Sequence, residues 1–170
     1  MGSNALNTAY NALLKVIKFL LAVFSAVLVV VVFTNVVSRY FLDFALAWAE
    51  ETARFLFIWV TFLGAILVHD SNEHMGLEFV VQALPGKIRT VVLMIADIII
   101  IAILAFIVKG GITITIDNLA WKSAALEIPY GLVYSIVPVS AFILTIQTVA
   151  KLFILGKELL ESESNVSHNL

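Results

Sequence analysis

Trp48-Ala49-Glu50-Glu51-Thr52-Ala53-Arg54, followed at once by the uncharged run Phe55 to Val68, decides how this chain is read. As a helix the uncharged run rises only about 21 Å, short of the about 30 Å of a hydrocarbon core. To cross a bilayer it must therefore recruit the turns before it, and with them Glu50, Glu51 and Arg54. Ionisable groups in hydrocarbon are costly without partners. On a helix the two carboxylates stand four and three residues before Arg54, where either reaches the guanidinium on one face. Arg39 lies just upstream in Asn35-Val36-Val37-Ser38-Arg39-Tyr40, so the reading predicts one buried network of Arg39, Glu50, Glu51 and Arg54.

The rest of the composition agrees with a membrane setting. Of 170 residues, 62% are hydrophobic and 13% charged, with a mean hydropathy of +1.06. That leaves too little polar surface to cover a water-soluble globule. A net charge of -2 without clustered basic residues argues against phosphate neutralisation on a nucleic acid. With no cysteine, disulfides, thiolate zinc sites, iron-sulfur clusters and cysteine nucleophiles are excluded.

Uncharged windows long enough to span predict an all-α membrane protein of four transmembrane helices, over about 16–38, 48–69, 88–109 and 129–151. They form a single domain over 1–157, followed by a polar, disordered tail over 158–170. No segment alternates as a barrel strand does. The first window is longer than a signal-peptide core and is read as a retained anchor. Pro138 inside the fourth window predicts a kink. Residues 41–47 leave room only for a tight hairpin. Between Asp70 and Pro85 apolar and acidic residues alternate loosely, which predicts a short interfacial amphipathic helix. Ile112 to Ile116 reads equally as strand or as a continuation of the third helix past Gly110-Gly111. The lysine and arginine flanks favour both termini in the cytoplasm, most clearly if Arg39 and Arg54 are paired. The four-residue network then sits near the outer face, where Trp48 and Trp121 are interface aromatics.

The embedded acid Asp97 has no cation within a turn or two of its own helix. Gln147 or a threonine across the bundle, Lys18 of the first helix, or a proton are the candidates to satisfy it. A proton-relay role for Asp97 stands beside this structural one. His69, His74 and His168 lie at or beyond helix ends, unlike haem ligands facing each other within spans. No zinc, phosphate-loop or nucleophile-elbow motif is present. The chain is therefore expected not to be an enzyme and to hold no cofactor.

The run Asn35 to Tyr40, Trp48 to Arg54, Phe57-Ile58-Trp59-Val60-Thr61-Phe62-Leu63-Gly64-Ala65, then His74, resembles the small membrane subunit of tripartite ATP-independent periplasmic (TRAP) transporters, the DctQ-like family. Ile128-Pro129-Tyr130 and Tyr134 to Val139 resemble that family's last span. One departure is Asp70-Ser71-Asn72-Glu73, where the family commonly has a basic residue. The resemblance implies a bacterial inner-membrane uptake system. A periplasmic binding protein captures an organic acid, a large subunit moves it with sodium in an elevator motion, and the small subunit is a scaffold that helps dock the binding protein. Substrate and sodium sites then belong to the large subunit. The chain as a whole resembles the branch that imports sialic acid. The competing reading is an autonomous four-helix proton-coupled transporter using Asp97 or Glu50 and Glu51, and a third is a haem-bearing redox subunit.

Overall fold

The computed structural model describes residues 2–70 and 86–167, with side chains over 8–70 and 88–157. The described residues form helices α1 (Gly2–Phe41), α2 (Ala47–Asp70), α3 (Gly86–Asp117), α4 (Tyr130–Tyr134) and α5 (Ile136–Ser167). Four segments are long and apolar enough to cross a membrane: Thr8–Phe41, Ala47–Asp70, Ile88–Asp117 and Tyr130–Lys157. Valine-rich α1 and isoleucine-rich α3 have modest helix propensity in water, but in hydrocarbon the backbone must satisfy its own hydrogen bonds, which overrides that preference. The interfacial helix expected between Asp70 and Pro85 falls outside the described residues. The open choice at Ile112 to Ile116 resolves as helix, since α3 runs through Gly110-Gly111 to Asp117.

α1 packs on α2, α2 on α5, and α5 on α3, with α4 seated against the end of α3. A tight turn joins α1 to α2. Asn35 Oδ1 accepts the Leu46 N–H at 3.2 Å, Ser38 Oγ donates to the Phe44 carbonyl at 2.8 Å, and Asp43 takes the left-handed conformation with φ 53°. The polar Asn35 and Ser38 on one face of an otherwise apolar helix thus supply the donors and acceptors that a turn at a helix end needs. Leu14, Ile17, Leu63, Ile66 and Ile136 form the buried apolar cluster where α1, α2 and α5 meet.

The kink expected at Pro138 leaves the backbone helical: Ser135, which lies between α4 and α5, keeps right-handed helical angles of φ -58° and ψ -25°, and its N–H donates to the Gly131 carbonyl at 3.0 Å. Pro138, the third residue of α5, has no N–H to donate four residues back to Tyr134, so the helical hydrogen-bond ladder is interrupted there. Its ring occupies the notch left by Gly111, where a Cβ would lie 3.0 Å from Pro138 Cδ. Gly131 of α4 lies so close to α3 that a Cβ there would stand 2.4 Å from the Thr115 carbonyl oxygen. α5 carries helix through 158–167, where composition alone predicts a disordered tail. Glu158-Leu159-Leu160-Glu161 are good helix formers appended to an established helix, and propagation needs no new nucleus.

Candidate functional site

Polar side chains gather at the two ends of the bundle, with the apolar cluster between them. At the hairpin end the sequence places Arg39, Glu50, Glu51 and Arg54 at one level, and the structure does bring them to that end. It does not pair them as expected. Among the described residues the ion pair that forms lies elsewhere, and Arg39, Glu50 and Arg54 are all exposed. The Glu51 carboxylate instead accepts the Ala125 N–H at 3.1 Å and the Leu126 N–H at 3.0 Å. The reason is directional. Glu51 faces the connection between α3 and α4, where successive amides converge, whereas Glu50 and Arg54 point away from the bundle. Amide donors fixed by a loop need no side-chain ordering to hold a carboxylate, unlike a long guanidinium.

The loop held by Glu51 is itself closely tied. Ser123 N–H donates to the Ile128 carbonyl at 2.9 Å and Glu127 N–H to the Ser123 carbonyl at 3.1 Å. Lys122 and Pro129 form an antiparallel bridge, and Glu127 adopts φ 55°. Trp48 and Trp121 are exposed at this same end.

At the opposite end three sets of polar contacts link the long helices. The Tyr10 hydroxyl donates to Asp70 Oδ1 and accepts from Gln147 Nε2 at 2.9 Å, so α1, α2 and α5 meet in one node. Thr148 Oγ1 donates to the Leu144 carbonyl at 2.8 Å and lies 3.0 Å from His69 Nε2. Asp97, 2% exposed, meets Lys151 of α5 across 3.7 Å. Among the candidates named for Asp97, Lys18 is exposed on α1 and does not reach it. Lys151 was legible only as a flanking charge, because the pairing follows from the antiparallel register of α3 and α5. Tyr10, His69, Asp70 and Thr148 gave no signal as a group, being scattered at the ends of three apolar windows.

Chemically, this arrangement binds helices together. Asp97 is matched by a cation, Glu51 is held by amides, and no group of three metal-ligating side chains occurs among the described residues. The buried cluster of Leu14, Leu63, Ile66 and Ile136 stands between the two polar ends.

Comparison with known proteins gives the same direction. The family described as "Tripartite ATP-independent periplasmic transporters, DctQ component" matches residues 28–155. The chain is 31% identical over 123 residues to a putative TRAP transporter small permease protein of Haemophilus influenzae, covering 71% of this chain and 74% of that one. A second such protein of the same organism is 28% identical over 127 residues, 75% of this chain and 77% of the relative. A sialic acid TRAP transporter small permease protein of Vibrio cholerae is 25% identical over 142 residues, 84% of this chain and 82% of its own length.

Proposed function

Because the chain belongs to the DctQ component family of TRAP transporters, a transporter subunit and not an enzyme, we propose that it is the fixed scaffold of a sodium-coupled importer of an organic acid in the bacterial inner membrane. The observation that carries the scaffold role is the disposition of two carboxylates, the buried Asp97 and the half-buried Glu51. Asp97 Oδ1 is paired with Lys151 at 3.7 Å, although its buried Oδ2 has no hydrogen-bond partner among the described residues, and Glu51 is engaged by loop amides, so each carboxylate already holds a partner from this chain. A large multi-span partner carries substrate and sodium. Its moving part requires a neighbour that stays still in the bilayer, and helices tied at both ends suit that task. The clasped loop at the hairpin end helps to receive the periplasmic binding protein. Sialic acid is the substrate we favour, on the similarity to the Vibrio cholerae protein.

Coexpression with a large TRAP subunit and a periplasmic binding protein tests the assignment. A stable complex should copurify, and proteoliposomes holding it should take up sialic acid only with the loaded binding protein and an inward sodium gradient. Transport by this chain alone, driven by protons, would replace the scaffold reading with an autonomous carrier. Uptake of a dicarboxylate in place of sialic acid would reject the substrate but keep the scaffold.

A further inference from the structure

α2 meets its surroundings along a single stripe. Beyond Trp48 its exposed residues are Glu50, Arg54, Phe57, Thr61, Ala65 and Val68, with Gly64 half-buried beside them. Steps of three and four residues keep all of them on one face of the helix. The other faces are taken. Phe24 of α1 packs edge-on against Trp59, Tyr130 of α4 against Phe55, and Gln147 of α5 donates to the Ile66 carbonyl at 3.4 Å.

This stripe differs from the outer faces of α1 and α3. α1 turns Phe19, Val29 and Phe33 outward and α3 turns Ile103 and Phe106, all more than half exposed, and large apolar groups suit lipid chains. α2 instead offers Thr61, Gly64 and Ala65 over its middle turns. The Thr61 hydroxyl is spent on the Phe57 carbonyl at 2.8 Å and needs no outside acceptor. A Cβ at Gly64 would meet nothing within 4 Å, whereas one at Gly111 or Gly131 runs into Pro138 or Thr115. Glycine is disfavoured inside a helix, and at Gly64 no contact within the chain uses the missing side chain. In a bilayer, where apolar burial gives helices no reason to associate, small residues let a second backbone come close.

Toward the hairpin end the stripe becomes charged. Glu50 and Arg54 stand one turn apart, yet among the described residues neither joins an ion pair. An acid and a base left outward at a fixed spacing select a partner with the opposite order of charge. A second copy of this chain does not offer that order. Copies in one membrane run parallel, and a two-fold axis along the stripe would set Glu50 against Glu50 and Arg54 against Arg54.

We propose that this stripe of α2 is the seam on which one transmembrane helix of the large TRAP subunit is seated. The partner helix lies close over Thr61, Gly64 and Ala65, with a basic side chain opposite Glu50 and an acidic one opposite Arg54. The seam presupposes the scaffold role proposed above, and it leaves the outer faces of α1 and α3 to lipid.

Photocrosslinking in native membranes holding the complex with the large subunit tests the seam. p-Benzoylphenylalanine placed at Phe57 or Ala65 should join this chain to the large subunit, and the same group at Phe33 or Phe106 should not. Lack of that adduct at both Phe57 and Ala65 in a complex that copurifies, or a linked pair of small subunits from Phe57, overturns the seam and spares the scaffold. Two variants give a second reading. The exchange Glu50→Arg with Arg54→Glu preserves net charge, and Gly64→Leu enters open space within the chain. Each should lower the large subunit recovered per small subunit by about tenfold or more, while the variant chain accumulates at its wild-type level. Wild-type recovery from either overturns the seam. A wild-type chain that copurifies with no large subunit removes the scaffold role itself, and the seam with it.

Discussion

Lys151 Nζ stands 3.7 Å from Asp97 Oδ1, joining α5 to α3 by an ion pair whose two members are unequally buried. The lysine side chain is 21% exposed and the aspartate side chain 3%. The cation can move toward headgroups if its partner is lost, while the carboxylate cannot. Lys151→Met should therefore be the more damaging substitution, costing about 3–5 kcal/mol if Asp97 stays charged. Asp97→Asn should cost less, and the double variant should recover much of the loss. Thermal unfolding of the purified complex, followed by size-exclusion recovery, checks the order; equal effects of the two single changes would contradict the asymmetry.

The same pair bears on transport. Asp97→Asn keeps a similar shape and hydrogen-bonding capacity while abolishing proton binding, so sodium dependence and substrate affinity of the assembled transporter should stay near wild type. Uptake into proteoliposomes with the loaded binding protein is the measurement. Loss of transport in a fully assembled complex would move coupling into this chain.

Glu51 and Arg54 separate the expected network from the observed clasp. Glu51→Ala removes the acceptor of the Ala125 and Leu126 amides, and hydrogen exchange at both amides should accelerate markedly. Arg54→Ala, at an exposed site, should leave those amides protected. Faster exchange after Arg54→Ala would restore the network.

Gly131→Ala places a methyl group against the Thr115 carbonyl, 2.4 Å away where backbone cannot yield. Overpacking of this kind costs about 1–3 kcal/mol or more, so the yield of folded complex should fall sharply. Gly111→Ala meets Pro138 at 3.0 Å and should be milder. Parallel expression trials with heat challenge rank the two.

Tyr10→Phe removes the hydroxyl that accepts from Gln147 and donates to Asp70. Gln147 is buried, so the loss should be about 1–3 kcal/mol, read as a lower unfolding temperature with assembly retained. An unchanged midpoint would show that this node does not hold α1.

Four spans, the hairpin after Phe41 and the interrupted hydrogen-bond ladder at Pro138 could be read from the chain itself, because each depends on local quantities: apolar run length, charge at its ends, and a missing N–H. The same local pattern misassigned Glu51. Its spacing from Arg54 permits an ion pair, yet the loop after α3, seventy-four residues away at Ala125, offers fixed amides that the spacing could not foretell. Asp97 announced itself as an embedded acid needing a partner. Which partner it takes depends on α3 lying antiparallel to α5 in the register set by Gly111 and Pro138, and that register is a property of packed surfaces. The sequence by itself therefore determined which segments enter the membrane, since transfer into hydrocarbon is summed residue by residue along a helix. Only the tertiary structure decided how the charges are satisfied, since that follows from shape complementarity between helices far apart in the chain.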